Sequence, residues 1–174
     1  MATKSYAIGL TDIKLKIAFV NGAAAGGTNP FSGASATVSI GEVMEGSTQV
    51  SDEAPSETKF KGDYSDATLL TLFQRGDFSF ETDVIEVDGA KFAALTGGTW
   101  TSATKTITIP SSAYNITGEA VLVFDDGISM IKLPKVQIVA NYAGANVKTE
   151  LFKLHLKVIA IADDSNNVAE IILK

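Results

Sequence analysis

The chain has 174 residues, of which 45 % are hydrophobic and 20 % charged, the composition of one domain with a single core. Fourteen basic residues stand against twenty acidic ones, a net charge of -6, and the lysines and arginines form no cluster, so the chain is expected to repel duplex nucleic acid rather than grip it. The absence of cysteine removes disulfides, thiolate nucleophiles and cysteine-held zinc or iron–sulfur sites; the single histidine, His155, removes every site that needs two imidazoles.

The longest clear apolar run, Ala120 to Phe124, has the length of a strand and not the roughly 18 to 20 residues that span a bilayer. Near the start, Asp12, Lys14 and Lys16 interrupt the stretch that the apolar core of a signal peptide would occupy. The expectation is a chain with no transmembrane segment, made in the cytoplasm.

Ile13, Leu15, Ile17 and Phe19 alternate with Asp12, Lys14, Lys16 and Ala18, the period-two signature of a strand with one buried face. Residues 21–36 are rich in Gly and Ala and carry Asn29-Pro30, so a flexible loop is expected there, before Val38 and Ile40 begin a second strand. Residues 44–59 show no periodicity and hold Glu45, Asp52, Glu53 and Glu57, which predicts a long acidic loop of the size that is usually functional or disordered. Strand-like text resumes at Thr58 to Lys61, Leu69 to Phe73 and Asp77 to Thr82, with Gly76 at the tight point between the last two.

The only convincing helix is short and runs near Asp88 to Thr96. Asp88 caps its start, Phe92 and Leu95 lie three apart on the side that must pack on a sheet, and Gly97 sits where a C-terminal glycine belongs. Trp100 and Phe92 flank this helix and read as core rings. Beyond Gly98 the pattern is all β: Thr104 to Ile109, Val121 to Phe124, a turn at Asp125-Asp126-Gly127, and a long partner from Ile128 to Ala140. In that partner the apolar phase shifts across Pro134, predicting a bulge or an edge. Leu151 to Ile161 follows with Phe152, Leu154, Leu156 and Val158 inward and Lys153, His155 and Lys157 outward; Val168 to Leu173 ends the set. The fold class is mainly β, a β-sandwich or partial barrel of about eight to ten strands with one short flanking helix, in a single domain.

No motif in this order carries catalysis. Gly22, Gly27 and Thr28 imitate a phosphate loop but lack its lysine and its helix. Asp163, Ser165 and Asn167 have the alternation of a calcium loop, but Val168 and Lys174 stand where Gly and Glu are required, so a polar turn is expected. Asp125 and Asp126 are solvated turn carboxylates, and no G-x-S-x-G elbow supplies a serine for His155. His155 lies between Lys153 and Lys157, whose charges disfavour its protonation, and reads as a surface or interface residue. The expectation is a protein without catalytic, cofactor-binding or metal-binding residues.

The order of elements, with Glu57-Thr-Lys-Phe-Lys-Gly-Asp, Gly76-Asp-Phe-Ser-Phe-Glu-Thr-Asp, Lys91-Phe-Ala-Ala-Leu-Thr-Gly-Gly-Thr-Trp and the closing strand and acidic turn from Leu154 to Asp164, resembles the major tail tube proteins of long-tailed bacteriophages. The resemblance implies a structural virion protein that assembles with itself into hexameric rings, stacked into a tube through which DNA passes without specific binding. Related inner tubes occur in contractile tails and type VI secretion. It also implies tail-tip or terminator proteins as partners, no membrane, and location in the virion tail. By position its inter-ring contact loop is 44–59, with Glu45, Asp52, Glu53 and Glu57 as contacts, and Lys14, Lys16, Lys153 and Lys157 offer a basic partner surface. A virion decoration protein or a surface adhesion or pilin-like module shares the β-rich, acidic composition; an enzyme on a β-sandwich is the third reading, disfavoured by the histidine and cysteine counts.

Overall fold

Strand periodicity decides most of the architecture. A computed structural model describes residues 9–19, 30–31, 37–62, 65–86, 88–111, 115–125, 127–143 and 152–173. Its elements are β1 (Leu10–Phe19), β2 (Val38–Ser39), β3 (Gln49–Asp52), β4 (Ser56–Gly62), β5 (Ser65–Gln74), β6 (Phe78–Val84), α1 (Gly89–Leu95), β7 (Thr99–Thr101), β8 (Thr106–Thr108), β9 (Ile116–Phe124), β10 (Met130–Ala143), β11 (Lys153–Ala160) and β12 (Glu170–Ile172). The chain is mainly β with one short helix, as its periodicity predicts, and its sheets do not close into a barrel. Among the described residues there are twelve strands against the expected eight to ten, because pieces of two to four residues such as β2, β3, β7 and β12 carry too few side chains to leave a periodic trace. The predicted loop 21–36 and the Gly22–Thr28 motif lie largely outside the described residues, as does Asp126.

The main sheet has the order β2-β1-β9-β10-β11-β6-β3, with β12 added beside β10. Every pairing in it is antiparallel. One face of each long strand is buried: Ile13, Leu15 and Ile17 from β1, Phe78, Phe80 and Val84 from β6, Leu154, Leu156 and Val158 from β11. The phase shift at Pro134 is a bulge. Leu133 pairs with Ala120 and Val136 with Gly118, leaving Pro134 and Lys135 between them; there β10 exchanges β12 for β11 as its second neighbour. At Gly118 a side chain has no room, because a Cβ would stand 2.0 Å from the Lys16 carbonyl oxygen on β1.

α1 closes one part of the core. The Asp88 carboxylate accepts hydrogen bonds from the backbone N–H groups of Ala90 (2.9 Å) and Lys91 (3.3 Å), and Gly97 takes a φ of +66° just past the end. Phe92 and Leu95 are wholly buried, so both helix anchors stand where the sequence places them. Phe31, which periodicity did not single out, is also core, and its carbonyl accepts from the Ile17 N–H at 3.3 Å. Asp163 makes the expected polar turn: its carboxylate accepts from the N–H groups of Ser165 (2.9 Å) and Asn167 (2.7 Å).

Candidate functional site: an exposed hairpin and an aromatic cleft

The acidic segment 44–59 is not a loop. Its first half is pinned to β6: Met44 N–H donates to the Asp83 carbonyl at 2.8 Å, the Ser47 hydroxyl accepts from Asp83 N–H at 3.1 Å, and the Thr48 hydroxyl meets that of buried Thr82 at 2.8 Å. Then β3 adds to the edge of the sheet against β6, and β4 turns into a hairpin with β5. The strand expected at Thr58 to Lys61 is the middle of β4, whereas the sequence hid β3 because all four of its residues are exposed and it has no apolar face to repeat.

The four predicted contact residues consequently sit on a turn, on β3 and its exit, and on β4, not on one loop. Glu45 is in an exposed turn, Asp52 sits on β3 and meets Arg75 at 3.4 Å, Glu53 follows β3 with its N–H on the Asp77 carbonyl at 3.0 Å, and Glu57 is on β4, 3.2 Å from Lys59. The lysines expected to offer a basic partner surface each face a carboxylate of their own chain. Lys14 pairs with Asp12 (3.8 Å), Lys16 with Glu119 (3.3 Å), Lys157 with Glu81 (2.6 Å) and Lys153 with Asp83, all within the chain.

The outward faces of β6 and β11 thus form a charge ladder. Asp83 lies opposite His155 and Glu81 opposite Lys157, which puts His155 Nδ1 2.8 Å from Asp83 and Nε2 3.9 Å from Glu81. The ring lies between two carboxylates, not in the purely basic surroundings that its own strand suggests. Burial pushes the Asp83 carboxyl up, but hydrogen bonds from Lys153 and His155 and their charges outweigh it and hold the group below its ordinary range. The hydrogen bond and charge of Lys157 lower Glu81, and Glu81 in turn raises Lys157. The arrangement is a set of ion pairs across strands.

What the sequence reading missed is the apolar surface of the hairpin. Thr58 pairs with Leu72 and Phe60 with Leu70 on one face; Glu57 pairs with Phe73 and Lys59 with Thr71 on the other. Phe60, Leu70 and Leu72 are about half exposed, and Phe73 is 72 % exposed. The available signal was the run Leu70-Thr71-Leu72-Phe73 beside a strand too charged to bury it.

A second apolar surface lies at the helix. Trp100, Lys105, Ile107, Ile109, Tyr142 and Phe152 line a cleft of about 670 Å³. Phe152, expected inward, is 48 % exposed; it stacks on Tyr142 with ring centroids 5.6 Å apart, and both rings stand 6.3 Å from Phe92 beneath them. Trp100, expected in the core, is only partly buried and lies over the first turn of α1, where a Cβ on Gly89 would come within 2.4 Å of the indole. Compared with known proteins, the chain matches no family model and no curated protein sequence.

Proposed function

We propose that the chain is a structural subunit of a phage tail tube, a virion protein that assembles with itself into stacked hexameric rings around a conduit for DNA. The observation that carries this reading is the β4–β5 hairpin. An isolated two-stranded hairpin is marginal in water, and this one presents Phe60, Leu70, Leu72 and Phe73 to solvent on both faces. Such an element gains its stability from a surface outside its own subunit. The motif Glu57-Thr-Lys-Phe-Lys-Gly-Asp, which carries part of the resemblance to tail tube proteins, falls on this hairpin; Gly76-Asp-Phe-Ser-Phe-Glu-Thr-Asp falls on and before β6.

The contact element of this reading is accordingly β3 with the β4–β5 hairpin, residues 49–74, and not an acidic loop. Both ends of the sheet are short strands, β2 and β3, the form that resists indiscriminate edge pairing while leaving a docking place for a specific neighbour. The net charge of -6 suits a lumen that does not hold DNA. Negative-stain microscopy of concentrated protein is the test: rings or tubes are expected, and a particle that stays monomeric under every condition contradicts the reading and favours a decoration or adhesion module.

A further inference from the structure

We propose that the aromatic cleft over α1 is the seat of the β4–β5 hairpin of a second copy of this chain, with Phe73 as the side chain that enters it. The inference rests on the reading of the chain as a self-assembling subunit and names the two surfaces that meet. Phe73 is the most exposed of the large apolar side chains among the described residues, and its cross-strand neighbour on the same face is Glu57, so this part of the hairpin offers a ring with a carboxylate beside it. The cleft offers the complement: aromatic walls from Trp100, Tyr142 and Phe152, and one ammonium, Lys105, which makes no ion pair among the described residues. Among the described residues Glu57 pairs with Lys59, an exposed pair of the kind that contributes little, so turning towards Lys105 sacrifices little.

The chain's own hairpin does not fill its cleft, since Phe73 stands in solvent and β4 and β5 pack chiefly on each other. Hairpin and cleft are different surfaces, so their contact closes into a ring or propagates as an open stack when each copy meets two neighbours, and closes as a two-fold pair when two copies exchange hairpins. Sedimentation tells the pair from the larger assemblies.

Trp100 is the only tryptophan, so its emission reports the cleft alone. In the test, a Phe73→Asp chain, with an intact cleft and a disabled hairpin, is titrated with a Trp100→Phe chain, which is silent in emission and keeps its hairpin. A blue shift that saturates is expected, and none with a silent chain that also carries Phe73→Asp. Adding Glu57→Lys to the silent chain is expected to weaken the titration, and Lys105→Glu in the emitting chain to restore it. Sedimentation separates the two ideas. If wild-type protein associates while Phe73→Asp associates equally well and Trp100 emission does not move, the cleft is not the seat although self-assembly stands. If wild-type protein never associates, both fall. Circular dichroism of each variant checks folding, which a change at a solvent-exposed Phe73 leaves intact.

Discussion

Gly89 decides whether the cleft exists. Alanine is ordinarily the better helix former, yet here its Cβ would collide with the Trp100 ring, so Gly89→Ala is expected to lose about 1 to 3 kcal/mol by overpacking and to red-shift tryptophan emission as the indole is displaced. Urea unfolding followed by fluorescence reads both effects. The charge ladder sets a pH dependence at the same scale. Asp83 and Glu81 are lowered from ordinary values of 3.8 and 4.5, so the unfolded chain binds protons first; their stabilisation is complete above those values and is lost as the pH falls through the lower folded ones. Lys157 is raised from 10.5, so its share is present below that value and is lost as the pH climbs past it. Asp83→Asn is therefore expected to flatten the loss of stability below pH 3.8 and to leave the alkaline limb in place, as measured by chemical denaturation across pH. The ladder was not legible from the residues. His155 shows its lysine neighbours in the sequence, but its carboxylates come from a strand 72 positions away and become visible only once β6 and β11 are paired.

Among elements, α1 was legible, and of the hairpin the two strands were, at Thr58 to Lys61 and Leu69 to Phe73, but not their exposure. Asp88, Gly97 and the spacing of Phe92 and Leu95 are local signals, and the helix forms on them. Leu95→Ala removes a side chain with no exposure and is expected to cost about 2 to 5 kcal/mol in urea unfolding, with the far-ultraviolet spectrum remaining that of a β protein. The strands β1, β6 and β11 were equally plain because each buries alternate residues. By contrast, β3 buries nothing, and its order comes from hydrogen bonds to β6 that no local pattern encodes. Phe152 and Trp100 misled for the opposite reason: their apolar character predicts a core, while both line an open cleft, Phe152 exposed and Trp100 only partly buried. At Gly118 the element itself is at stake. A methyl group there pushes β1 away from β9, so Gly118→Ala is expected to destabilise the centre of the sheet by about 1 to 3 kcal/mol or more, visible as faster amide exchange at Ile17 and its neighbours.

For the whole molecule, the open sheet, the unsupported hairpin and the acidic charge act together. The lysines that the resemblance offers as a basic partner surface are already paired within the chain, so on the proposed reading assembly would rest on apolar burial by the hairpin and would work against the repulsion of subunits carrying -6 each. Salt shortens the Debye length from about 10 Å at 0.1 M to about 3 Å at 1 M, and is therefore expected to promote tube growth; light scattering against ionic strength follows it. The central claim, that this is a self-assembling subunit joined through β4 and β5, is tested most directly by comparing the wild-type chain with one in which residues 56–74 are replaced by a short Gly-Ser turn. Ser56 and Gln74 are paired across the hairpin, so such a turn closes without strain on β3 or β6. Sedimentation and negative-stain microscopy of both proteins, concentrated side by side, are predicted to show rings or tubes for the wild type and a folded monomer for the replacement. Tubes from the shortened chain, or none from the wild type, contradict the claim.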